Sequence, residues 1–120
     1  MKKVFLFIAL IAILVGCSKV SKNNLVNTKW QCPPYALEFA PGGKAFLYKL
    51  NEKFEYTSLS SSGTFKVKKD TVYFDGLSCY QRNVELSVVK GIVEWNFMTV
   101  SLEYFSGDPF DMNMTFKKVE

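Results

Sequence analysis

The chain has 120 residues, which is enough for one domain and too few for two. Hydrophobic residues make up 48% and aromatic residues 16%, a composition that excludes a disordered polar chain. The formal net charge is only +4, and acidic residues are interspersed among the basic ones, so the sequence does not favour nucleic-acid binding.

The first predicted element is an apolar leader. Lys2 and Lys3 precede an unbroken apolar run over residues 4–15, which is typical of a secretory signal. As a helix, this run would span about 18 Å, well short of the ~30 Å hydrocarbon core of a bilayer. A permanent transmembrane helix is therefore disfavoured.

The leader ends in the tetrapeptide Leu14, Val15, Gly16, Cys17. It resembles the lipobox of bacterial lipoproteins. The resemblance implies a signal peptide over residues 1–16, cleavage before Cys17, and lipidation of this cysteine with acyl chains such as palmitate, which hold the protein in a lipid bilayer. The alternative is an uncleaved apolar anchor with an incidental cysteine. Ser18, which is not aspartate, is similar to the outer-membrane sorting pattern, so we expect an outer-membrane lipoprotein that faces the periplasm.

The next segment, residues 17–26, is predicted to be the lipidated cysteine and a flexible tether. Its first residues are polar and small and show no periodicity. A single folded domain is expected over residues 27–120.

From about residue 28 onward the hydrophobic pattern has a period of two, which favours β-strands. Phe46, Tyr48 and Leu50 are expected to share one face of their strand, and residues 41–43 predict a hairpin turn, as do the serine-rich residues 58–63. The predicted strands are short and rich in β-branched and aromatic residues, and they lie near residues 28–32, 36–40, 44–50, 54–56, 65–68, 72–74, 84–88, 93–97, 99–105 and 112–116.

Short turns force consecutive strands to pair antiparallel, so the chain is predicted to be an all-β antiparallel meander. One open sheet of this many strands would leave two unpaired edges and an exposed apolar face. Closure into a small up-and-down β-barrel removes both problems, and a two-layer β-sandwich is the alternative. A barrel of this size is either filled by its own side chains or holds one small ligand.

The segment Leu25, Val26, Asn27, Thr28, Lys29, Trp30 resembles the opening strand of small bacterial lipocalin-like proteins. Short sequence motifs at residues 37–39, 43–45 and 63–72 extend the resemblance over about residues 25–75. It implies a lipocalin-like barrel that binds a small apolar ligand. The candidate ligand-lining residues are Trp30, Phe46, Tyr48 and Trp95, although inward aromatic residues more often form core.

The absence of histidine excludes Ser-His-Asp and Cys-His nucleophilic sites and removes the commonest metal ligand. We therefore predict a protein that is not an enzyme and has neither a metal site nor a cofactor. Cys32 and Cys79 are interpreted as a disulfide formed in an oxidising compartment, and two buried free thiols are the alternative.

The predicted function is that of a membrane-anchored, non-enzymatic, lipocalin-like lipoprotein. Its partner would be a small apolar ligand or an envelope protein. Residues 60–63, Ser-Ser-Ser-Gly, resemble the Ser-x-Ser-Gly loop of periplasmic inhibitors of C-type lysozyme. That resemblance implies the alternative function, a protein-binding inhibitor with this loop as its contact.

Overall fold

The structure is a computed structural model that describes residues 22–119. The predicted signal peptide, the lipobox residues Leu14, Val15 and Gly16, and the predicted lipidation site Cys17 lie outside the described residues. One helical turn and nine strands are present in the described part: α1 (Lys22–Leu25), β1 (Lys29–Cys32), β2 (Tyr35–Ala40), β3 (Lys44–Leu50), β4 (Tyr56–Lys68), β5 (Thr71–Asp75), β6 (Ser78–Gln81), β7 (Val84–Glu94), β8 (Phe97–Glu103) and β9 (Met114–Val119).

The strands form a closed antiparallel barrel. Strands that follow one another in the chain are neighbours, apart from β5 and β6, and β9 returns to pair with β1. β5 and β6 both pair with β7, and they act as one strand that is interrupted at Gly76 and Leu77. The barrel therefore has eight strands. The predicted up-and-down barrel is confirmed, and the two-layer sandwich does not form.

The two ends of the barrel differ in which segments they carry. The end at which α1 enters, called here the proximal end, also carries the turns at residues 41–43, 69–70 and 95–96. The opposite end, called the distal end, carries the connections at residues 33–34, 51–55, 82–83 and 104–113. Because every strand runs from one end to the other, this assignment follows from the strand order alone.

The interior of the barrel is filled by side chains in one continuous cluster. Phe39 belongs to this cluster, with its ring 4.8 Å from that of Phe65 in an edge-on arrangement and 6.0 Å from that of Phe74. Leu25 covers the cluster at the proximal end, and Phe110 covers it at the distal end. Side chains of one continuous cluster thus occupy the interior of the barrel.

The N-terminal boundary of the packed domain lies earlier than the sequence predicts. A flexible tether is expected as far as residue 26, whereas Leu25 is buried and Val26 packs against the core. The Thr28 hydroxyl accepts a hydrogen bond from the Trp30 indole N–H at 2.9 Å and donates one to the Leu25 carbonyl, which joins α1 to the first strand.

Several local predictions are wrong. β7 is continuous over Val84–Glu94, where separate strands at residues 84–88 and 93–97 are predicted, and residues 54–55 lie in a connection rather than in a strand. Residues 58–63 were expected to form a turn, but they lie within β4 and pair with β3, for example Ser62 with Phe46. Leu50 does not share a face with Phe46 and Tyr48, because register shifts in the β3–β4 pairing, one of them between Lys49 and Leu50, displace the alternation. Leu50 is buried, whereas Phe46 and Tyr48 lie half-buried on the outer face.

Candidate functional site

The barrel wall is broken where β5 gives way to β6. Just before the break, β4 and β5 approach so closely that a Cβ on Gly63 would lie 2.2 Å from the Asp75 carbonyl oxygen. Beyond it the two strands separate, and the Ser61 hydroxyl bridges the gap. It accepts a hydrogen bond from the Ser78 backbone N–H at 3.0 Å and donates one to the Ser78 carbonyl oxygen at 2.8 Å.

A cleft of about 380 Å³ lies at this break. Ser78, Ser87 and Glu103 are in register across β6, β7 and β8, so they share the outer face of the sheet. The full lining is Phe74, Asp75, Gly76, Leu77, Ser78, Ser87, Val88, Val89, Glu103 and Phe105. The volume is within the range of small-molecule sites, and the lining combines apolar side chains with two hydroxyls and two carboxylates.

Phe105 forms an exposed apolar wall of this cleft. Its side chain is 66% exposed although it is large and aromatic. It follows β8 directly, in a loop whose backbone is held by hydrogen bonds from the Tyr104 N–H to the Asp108 carbonyl at 2.8 Å and from the Phe110 N–H to the Leu102 carbonyl at 2.9 Å. Phe105 is therefore presented on an ordered support.

Arg82 fixes the other part of this loop to the distal end of the barrel. Its guanidinium lies 5.1 Å from the centre of the Phe110 ring and 3.0 Å from a carboxylate oxygen of Asp111. Both contacts lie at the surface, so we attribute to them positioning rather than a large contribution to stability. The loop that carries Phe105 is consequently anchored at Leu102, Phe110 and Asp111.

The four predicted ligand-lining residues do not come together. Trp30 is 2% exposed and belongs to the core. Phe46 and Tyr48 lie on the outer face of β3, where the Tyr48 ring packs 5.0 Å from that of Tyr56. Trp95 is 69% exposed in the β7–β8 turn at the proximal end. No shared pocket is formed by these side chains in the described structure.

Cys32 and Cys79 are both free thiols in the structure. Burial, with a smaller contribution from Cys32, raises the pKa of Cys79 from 9.0 to about 11. Burial also raises the pKa of Cys32, opposed by a hydrogen bond from the Thr115 backbone. Both thiols are therefore protonated at neutral pH, and the structure does not show the predicted bridge between them.

Sequence reasoning missed the cleft. Gly76 interrupts an otherwise alternating apolar pattern, and an isolated glycine inside a strand indicates a bulge or a close backbone approach. That signal was available at residue 76. Residues 60–63, in contrast, supply no loop, because they lie within β4.

Among residues 22–119, no group of three His, Cys, Asp or Glu side chains is arranged to hold a metal ion. In the same part of the chain, no helix has the length and apolar character needed to cross a membrane. Comparison of the chain with protein-family models, curated proteins and solved structures gives no match.

Proposed function

We propose that the chain is a lipid-anchored, non-enzymatic lipoprotein of the bacterial envelope that binds a small apolar ligand in the cleft beside Phe105. The observation that supports this site is the contrast between the filled interior and the open wall. Both barrel ends are covered, by Leu25 and by Phe110, whereas the cleft keeps an exposed aromatic side chain next to it.

The lining suggests which ligands the cleft would accept. Phe105 and Val89 offer apolar contact, and Glu103 and Asp75 supply negative charge beside two serine hydroxyls. A ligand with an apolar body and a hydrogen-bond donor or a positive charge would match both parts. An anionic ligand would meet two carboxylates and is disfavoured.

A neutral fluorescent naphthylamine probe tests the cleft. We expect the purified protein to enhance its fluorescence, and Phe105→Ala to weaken binding about tenfold, because the loss of partial burial of one phenyl ring amounts to about 1.4 kcal/mol. Phe54→Ala is the matched control, since Phe54 is also exposed at the distal end but does not line the cleft. Equal losses in the two variants, or no binding by the unaltered protein, would contradict the proposed site.

The anchor is part of the same proposal and has its own test. If residues 1–16 are removed and Cys17 is acylated, cells that produce the protein in the presence of radiolabelled palmitate should incorporate the label into it. The labelled protein should fractionate with membranes. Cys17→Ala should abolish the label. An unlabelled native protein would refute the anchor, whatever the cleft binds.

The Cys32–Cys79 bridge belongs to the proposal for the exported protein. Cys79 is buried and lies 3.8 Å from the Met114 sulfur, whereas Cys32 is half-buried. Mass spectrometry of protein alkylated in denaturant without reduction decides between the two states, because unfolding exposes free thiols to the reagent and a bridged pair still takes up no alkyl groups.

A further inference from the structure

The proximal end of the barrel is basic. Among residues 22–119, six exposed lysines lie at strand ends or in turns there, against three carboxylates, Glu38, Asp70 and Glu94. The lysines are Lys29, Lys44, Lys68, Lys69, Lys117 and Lys118. In the distal connections the balance is opposite, because Glu52, Glu55, Asp108 and Asp111 outnumber Lys53 and Arg82. The domain therefore presents a positive face on the side at which α1 enters.

Trp95 lies at this basic end, and neither packing nor backbone conformation explains a tryptophan there. Its side chain is 69% exposed. Its φ of 57° is left-handed, a conformation that costs a side-chain-bearing residue energy and that glycine or asparagine adopts more readily. Because its indole is not held by the core, Trp95 is available for a contact outside the domain.

The neighbours of Trp95 join its apolar surface to the lysines. Phe97, which is 48% exposed, begins the next strand and lies directly opposite Lys117 in the β8–β9 register. The Lys118 backbone N–H donates a hydrogen bond to the Asn96 carbonyl at 2.7 Å. Trp95 and Phe97 thus lie beside the C-terminal part of β9, the strand that carries Lys117 and Lys118.

The position of the proposed anchor indicates that the partner of this end is a bilayer surface. Cys17 precedes Lys22, the first residue of α1, by five positions, and five residues span at most about 18 Å. An acylated Cys17 would therefore hold the proximal end close to the bilayer surface. Tryptophan is favoured at the membrane–water interface, and lysines are attracted to anionic headgroups.

We propose that the proximal end docks on an anionic phospholipid surface, with Trp95 and Phe97 in the interface and Lys117 and Lys118 on the headgroups. The inference deepens the proposed function and rests on its lipid anchor both for the choice of a membrane as the partner and for the orientation of the domain. Docking would hold the distal end, with the cleft near it, turned towards the aqueous side.

The test uses full-length protein purified from membranes and reconstituted into vesicles. Brominated phosphatidylglycerol and phosphatidylethanolamine quench a tryptophan that reaches the interface. Subtracting the signal of Trp95→Phe isolates Trp95, because Trp30 is buried in the core and is common to both proteins. We expect strong quenching of Trp95 in the anionic vesicles. Quenching should be much weaker in vesicles of brominated phosphatidylcholine, and also in the anionic vesicles at 0.5 M salt.

Lys117→Gln with Lys118→Gln should lower the ratio of docked to undocked protein about 30-fold, since each lysine near an anionic surface contributes about fivefold. Lys49→Gln with Lys53→Gln, at the distal end, should leave that ratio unchanged. Absence of Trp95 quenching in anionic vesicles, or an equal effect of the two pairs, would overturn the docking. Quenching without palmitate incorporation would refute the anchor and leave docking supported, so the two failures are distinguishable.

Discussion

Gly63→Ala tests whether the break in the barrel wall depends on the close approach of β4 to β5. An added Cβ would lie 2.2 Å from the Asp75 carbonyl oxygen and 3.0 Å from the Gly76 carbonyl carbon. Both atoms belong to the backbone, so no side chain can rotate away. The two strands would have to move apart by more than 1 Å to reach ordinary contact, given the 2.2 Å separation.

The loss of stability can be estimated from the strand pairs that this movement would disrupt. The pairs nearest the clash are Thr64 with Asp75 and Phe65 with Phe74. Overpacking costs about 1–3 kcal/mol, and each lost ladder hydrogen bond costs about 1 kcal/mol. We expect the free energy of unfolding to fall by about 3 kcal/mol, which corresponds to about 12–24 °C in Tm for a domain of this size.

Urea denaturation of purified variants measures the change, and Gly42→Ala is the matched control. Gly42 has a φ of 82° but no atom within 4 Å of its added Cβ, so its substitution costs only the left-handed conformation, about 1–2 kcal/mol. A loss below about 1 kcal/mol for Gly63→Ala, or one no larger than that of the control, would show that the strands do not approach as described.

Three further outcomes are expected. In the reduced protein, the unfolding free energy should fall as the pH rises from 9 to 11, because native Cys79 retains a proton that the unfolded chain releases. Cys79→Ala should make this slope less steep in urea titrations at stepped pH without removing it, because burial also raises the pKa values of Cys32 and Tyr35. Phe110→Ala should cost about 3–5 kcal/mol by the same method, and a loss under 1 kcal/mol would mean that Phe110 does not cover the core. Leu25→Ala should cost about 2–5 kcal/mol, and an unchanged Tm in thermal unfolding would place α1 outside the packed domain.

The period-two pattern was sufficient to predict the barrel, because the positions of strands and turns depend mainly on residues close together in the chain. β3 forms over Lys44–Leu50 as predicted, and the glycines at 42 and 43 adopt the positive φ values that the hairpin needs. Closure followed from the number of strands and the shortness of the turns. Hydrophobic alternation carries no such information about residues 58–63, whose serines are held in β4 by pairing with β3 and by the Ser61–Ser78 contact.

The candidate site was not predictable to the same degree. The cleft depends on three strands meeting at the Gly76 break, and its Phe105 wall is placed by loop contacts more than twenty residues away in the chain. Trp95 was assigned to the interior because its strand alternates, yet the turn begins at that residue and reverses its direction. Register shifts and turn positions of this kind depend on partners that are distant in sequence.

Pairing of β1 with β9 sets the order in which the protein can assemble. Lys29 meets Val119, about 90 positions later, so the ring of hydrogen bonds has a gap until β9 is present. Closure of the barrel therefore requires the whole of the chain from β1 to β9. Pairing of strands so distant in sequence gives a high contact order, which slows folding to milliseconds or longer.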